Sequence, residues 1–207
     1  MRIGLLGGAF NPPHLGHLKL AELALGSLEL DELRFVPTAV SPHKPQAVGP
    51  DANSRLALLK AALKDFPGPV SIEMAELERG GTSYCVDTLE TLAGREPGCK
   101  WILVLGSDQL AGLPKWHRFT RVMELASVAV APRPGCDGVL PDFLKLRERP
   151  RWSGAPGELV WLPGTELPFA SSALRLRLGQ RSDQAVAVEG LSPQVMAVIT
   201  AENYYRC

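Results

Sequence analysis

The chain has 207 residues, 45% of them hydrophobic, with 22 basic and 22 acidic side chains. That length and composition suit one folded domain over 1–207 with a full core and exclude a disordered chain. Zero net charge gives no global field for duplex nucleic acid or an anionic membrane surface, and no apolar run reaches the length of a membrane span.

The start, MRIGLLGGAFNPPH, is broken by glycines and prolines and does not read as a secretory signal. Residues 2–7 (RIGLLG) read as a buried strand, and a helix follows from Leu15 to Leu25, with Leu15, Leu18 and Glu22 marking its turns. A second strand covers 32–37, closed by Pro37, and a long loop covers 38–50. Asp51 or Asn53 caps a helix running to Lys64. Residues 69–74 are strand-like, and Ser83 caps a helix to Ala93. Strands follow at 101–106, 127–132 and 158–163, with an irregular excursion over 132–157. Ser171 or Ser172 opens a helix to Leu178, and a last helix follows Pro193. Apolar strands alternating with helices predict a doubly wound, Rossmann-like α/β fold: a parallel sheet with helices on both faces. The four cysteines (85, 99, 136 and 207) form no CxxC pair, which fits a reduced, cytoplasmic protein.

The strongest signal is GGAFNPPHLGH, residues 7–17, where the first strand turns into the first helix. Gly7 and Gly8 let backbone approach a ligand closely, and the helix start offers free N–H groups to phosphate. The dinucleotide fingerprint GxGxxG is absent. His14 and His17, three residues apart around Gly16, both face the phosphate position. No carboxylate or thiol stands beside them, which argues against metal ligation. Proton transfer and hydrogen bonding to phosphate oxygens remain open.

His14-Leu15-Gly16-His17 resembles the HxGH motif of a nucleotidyltransferase superfamily, and GGAFNPPHLGH as a whole resembles the first motif of the bacterial nicotinate-nucleotide adenylyltransferases. Further segments match in order. SPHKP (41–45) is similar to the family's PPHK loop, and TSYCVDTL (82–89) to its SYTxxTL segment, with Cys85 in place of Thr. LGSDQLAGLPKWHRF (105–119) fits GxDxLxxxxxW, with His117 where the family often has Tyr. PRPG (132–135) stands near RRPG, and FASSALR (169–175) near ISSTxIR.

The resemblance implies an enzyme that joins ATP and nicotinate mononucleotide into deamido-NAD and pyrophosphate, within NAD biosynthesis. It implies that His14, His17, Lys44 and Arg175 are catalytic. It assigns ATP to Gly8, Ala9, Phe10, His14, His17, Gly106, Asp108, Arg133, Ser171, Ser172 and Arg175. It assigns the mononucleotide to Lys44, Tyr84, Cys85, Asp108 and Trp116. Mg²⁺ enters with ATP, and no residue of the chain is a metal ligand. No nucleic-acid or membrane partner is implied, and a homo-oligomer is left open. A phosphopantetheine adenylyltransferase is disfavoured because that family has Thr where this chain has His14. Cytidylyltransferases share HxGH but usually lack the Tyr84 and Trp116 segments, and a non-catalytic nucleotide-binding regulator is disfavoured by the intact HxGH and Arg175.

Overall fold

A computed structural model describes residues 1–42, 49–133, 140–164, 169–180 and 187–206. Six parallel strands form one sheet: β1 (Arg2–Gly8), β2 (Glu32–Pro37), β3 (Val70–Ile72), β4 (Lys100–Gly106), β5 (Ala126–Ala131) and β6 (Leu159–Trp161). Their order is β3-β2-β1-β4-β5-β6. β1 therefore lies inside the sheet, with Ile3 opposite Glu32 on one side and Trp101 on the other. Between β1 and β4 the order reverses, and ligands of such sheets bind beyond the strand ends at that point.

The helices are α1 (Leu15–Leu28), α2 (Ala52–Leu63), α3 (Ala75–Arg79), α4 (Cys85–Arg95), α5 (Phe119–Leu125), α6 (Asp142–Lys145), α7 (Ser171–Gly179) and α8 (Pro193–Ala201). Side chains alternate across each strand. Ile3, Leu5, Leu103 and Val128 face a core closed by Val86, Leu89 and Leu92 of α4 and Val122 of α5. Leu6, Phe35, Ile102 and Ala129 face a second core against Leu20, Ala21, Ala24 and Leu28 of α1. Outside α2 lies a third cluster, in which Leu58 and Ala62 meet Leu174 and Leu178 of α7 and Val195 and Ile199 of α8.

The doubly wound expectation holds, with local corrections. The inner face of α1 is set by Leu20, Ala21, Ala24 and Leu28, whereas Leu15 is exposed. Asp51, not Asn53, caps α2, its carboxylate accepting from Ser54 N–H at 2.8 Å. Ser83 does not cap α4: its hydroxyl accepts from Ala39 N–H at 2.9 Å, and Tyr84 holds the cap position. The helices α3 and α5 lie where no helix was expected. The stretch 132–157 carries α6 and a buried Trp152 on the second core.

Candidate active site

A cleft of about 720 Å³ opens at the carboxyl ends of β1 and β4. It brings together every candidate residue of the motifs except Lys44, which lies outside the described residues.

The turn after β1 forms one wall. Gly7 has open space where a Cβ would stand, and Gly8 lies against the ring of Phe10. Phe10, expected to meet ATP, turns its ring into the core against Phe35 and His17, so only its backbone is left for a ligand. Arg55 of α2 is buried beneath this turn and donates to the carbonyls of Ala9 at 2.6 Å and Thr38 at 2.7 Å. Burial lowers its pKa from the ordinary arginine value. No motif or spacing in the sequence singles out Arg55.

His14 is the N-cap of α1 and His17 is three residues on. The His14 N–H donates to Nδ1 of His17 at 3.2 Å, and the rings stack with centroids 3.7 Å apart. Because Nδ1 of His17 accepts, the neutral ring carries its proton on Nε2. Nδ1 of His14 is buried with no partner among the described residues. Burial, aided by the nearby Arg133 guanidinium, depresses the His14 pKa to about 4. Burial, then His14 and Arg133, push His17 well below its ordinary value. Both imidazoles are therefore neutral donors at pH 7. Gly16 makes this packing feasible, because a Cβ there would stand 2.9 Å from Nδ1 of His14.

The facing wall is the end of β4. Asp108 Oδ1 pairs with Arg133 Nε at 3.0 Å, and the Arg133 N–H donates to the Ser107 hydroxyl at 2.9 Å. A Cβ at Gly106 would strike both Asp108 and Arg133. At the remaining side Ser171 of α7 donates to Pro12 O at 3.1 Å and Arg175 Nη1 to Asn11 O at 2.7 Å, while Ser172 is exposed.

The far end of the cleft is aromatic. Tyr84, at the start of α4, packs its ring on His117 with centroids 4.5 Å apart, and Trp116 lies half-buried beside them. Sequence reading gave His117 no role. Its adjacency to Trp116 was the available signal. Behind Tyr84, buried Glu76 accepts from the Thr88 hydroxyl at 2.9 Å, and burial raises its pKa. Burial and the Glu76 charge likewise push the Cys85 thiol up, so it stays protonated. Among the described residues no group of three His, Cys, Asp or Glu side chains could hold a metal ion, and no helix is long and apolar enough to cross a membrane.

A parallel sheet whose reversal point carries paired neutral imidazoles, a helix start and two arginines defines an α/β protein built around a phosphorylated ligand. The cytidylyltransferase-like family matches residues 5–177. A probable nicotinate-nucleotide adenylyltransferase of Methylococcus capsulatus is 39% identical over 215 residues, covering 98% of this chain and 99% of that protein. One of Herpetosiphon aurantiacus is 36% identical, covering 98% and 96%. The solved nicotinic acid mononucleotide adenylyltransferase of Plasmodium falciparum, complexed with NaAD, shares the fold: its TM-score is 0.74 at 16% identity, over 99% of this chain and 97% of that one. The chain belongs to the nicotinate-nucleotide adenylyltransferase family, within the cytidylyltransferase-like proteins.

Proposed function

We propose that the protein transfers the adenylyl group of ATP to nicotinate mononucleotide, giving deamido-NAD and pyrophosphate, as a cytoplasmic enzyme of NAD biosynthesis. The observation that carries this reading is the stacked His14–His17 pair. It lines one cleft with Arg133, with Ser171 and Arg175 of α7, and with the Tyr84–Trp116 aromatic end.

An oxygen of the mononucleotide phosphate attacks the α-phosphorus of ATP in line. A new P–O bond forms, the bond to the β-phosphate oxygen breaks, and pyrophosphate leaves with that electron pair. The attacking phosphate is already ionised near neutral pH, so no strong base is needed, and catalysis rests on position and charge. His17 presents Nε2–H to the α-phosphate region, and His14 offers its unpartnered Nδ1 edge. Incoming negative charge opposes the Arg133 field and draws both imidazole pKa values upward, so charge stabilisation strengthens as charge builds on the bridging oxygen. Ser171, Ser172, Arg175 and Lys44 balance the leaving phosphates. Gly8, Ala9 and Gly106 let the nucleotide lie against backbone, and Asp108 meets ribose hydroxyls.

Mg²⁺ would enter as a companion of ATP: Asp108 is held by Arg133, and among the described residues no group of three His, Cys, Asp or Glu side chains could hold an ion. When bound it neutralises triphosphate charge.

At the acceptor end Trp116 offers a face for the pyridine ring. The first N–H groups of α4, at Tyr84 and Cys85, suit a carboxylate. A carboxamide would set its NH₂ against those donors, and leaving a buried polar group unpaired costs about 1–3 kcal/mol, so discrimination of about tenfold or more follows. The test is pyrophosphate release with ATP and each acceptor in turn. We expect a higher kcat/KM with nicotinate mononucleotide than with its amide and no turnover with phosphopantetheine. Equal values for acid and amide would overturn the acceptor assignment, and no release with either would overturn the reaction.

A further inference from the structure

We infer that Tyr205 is a positioning residue for the transfer: its hydroxyl fixes Asn11, and through Asn11 it holds the His14 turn and Arg175 against the triphosphate. Tyr205 lies outside all six motif segments and beyond residues 5–177, the stretch that the cytidylyltransferase-like family matches. The inference rests on the adenylyl-transfer reading above.

The geometry is specific. After α8 the chain turns through left-handed backbone at Asn203 and again at Tyr205, with φ of 55° and 64°. This brings the phenol back to the first turn, where its hydroxyl donates to Asn11 Oδ1 at 2.7 Å across 194 residues of sequence. Burial holds the phenol well above the ordinary tyrosine range despite the opposing pull of Arg175 and Arg55, so the hydroxyl keeps the proton it donates.

Asn11 is a hub. Its side chain is buried and takes the Tyr205 hydrogen bond, while its carbonyl takes Nη1 of Arg175 at 2.7 Å. The next carbonyl, of Pro12, takes the Ser171 hydroxyl, and the carbonyl two residues before, of Ala9, takes Arg55. Gly49 closes the remaining side, since a Cβ there would stand 2.7 Å from Asn11 Oδ1. Three residues after Asn11 comes His14, whose N–H holds His17. A shift of Asn11 therefore moves both the imidazole pair and the arginine that reaches the phosphates. Tyr84 and Trp116 line the aromatic end of the same cleft, where the Tyr84 ring packs on His117.

Tyr205→Phe keeps the ring and removes only the hydroxyl. Misplacing reacting groups by about 1 Å costs about a hundredfold in rate. A loosened hub should therefore lower kcat roughly tenfold and raise KM for ATP several-fold, leaving KM for the acceptor within twofold. Asn11→Ala should shift kcat and KM for ATP in the same direction and at least as far, and the double variant should be no worse than Asn11→Ala alone, because the Tyr205 hydroxyl acts through the Asn11 side chain. Tyr204→Phe, which removes a neighbouring hydroxyl, should match the parent. A merely structural role would lower the folded fraction and scale kcat with both KM values unmoved. That result, or equal changes in both KM values, would overturn the inference. An active parent with an indistinguishable Tyr205→Phe variant overturns this inference alone. A parent that releases no pyrophosphate from ATP and nicotinate mononucleotide overturns the functional reading and this one together.

Discussion

Gly16→Ala separates rate from stability. The added Cβ would lie 2.9 Å from Nδ1 and 3.0 Å from Cε1 of His14, against an ordinary contact of 3.4 Å or more. The His14 ring must retreat by about half an ångström to restore van der Waals distance. It has little room, being buried and stacked at 3.7 Å on His17, whose other side meets Phe10 at 5.0 Å. The displacement therefore passes to His17. For stability two terms oppose each other. Alanine in place of a helical glycine contributes about 1 kcal/mol, and overpacking costs about 1–3 kcal/mol. The net is a loss of about 2 kcal/mol at most, or a few degrees in Tm for a chain of this size. For turnover nothing compensates. Half an ångström of misalignment costs about tenfold, and full loss of a donor about 100–1,000-fold. We expect kcat to fall about 10–100-fold while the melting transition stays cooperative. Pyrophosphate release and a thermal melt on the same preparation decide it. A folded variant with near-parental kcat would mean that the His14 position is not part of the chemistry.

Three further outcomes follow from the same geometry. The folded chain refuses a proton at His14 until about pH 4, whereas the unfolded chain takes one near 6.5, so stability falls as pH drops through that window. Urea unfolding should show a loss of about 2 kcal/mol from His14 between pH 7 and 5, and His14→Gln should remove that part of the slope while leaving the part that His17 contributes. Arg34 is largely buried, forks onto Glu96 at 2.5 and 2.9 Å, and donates to Glu32 at 2.9 Å. Arg34→Ala should cost about 1–2 kcal/mol in urea titrations with turnover per folded molecule unchanged, because the network is only part-buried; a loss under about 0.5 kcal/mol would show the network to be idle. Arg175→Ala should weaken ATP more than the acceptor, since Arg175 stands at the phosphate side of the cleft; a defect confined to the acceptor would reverse its assignment.

What the sequence made legible was local. Buried strands such as 101–106 announce themselves by apolar runs, and the start of α2 by the capping residues Asp51 and Asn53, between which only the fold decides. The first turn was legible because glycines, prolines and paired histidines coincide there. What escaped was set by distant partners. Ser83 looked like a cap, but its hydroxyl serves Ala39, 44 residues away. Nothing in the sequence singles out Arg55, yet three carbonyls of two loops claim it. Phe10 stood in a ligand-binding motif while its ring was needed in the core beneath. Helix α5 begins on Arg118 in left-handed backbone without a side-chain cap, and so left no start signal.

The position of β1 bears on how the chain is made. Its two neighbours are synthesised at different times: β2 is complete at Pro37, and β4 only at Gly106. At ribosomal speeds of about 5–20 residues per second, the second edge of β1 waits about 3–14 s for its partner. Throughout that interval an interior strand, meant never to be an edge, displays unpaired N–H and C=O groups beside Ile3 and Leu5. The nascent chain is then open to pairing with a copy on a neighbouring ribosome. Slower translation between codons 37 and 106 should thus lower the soluble yield of this protein.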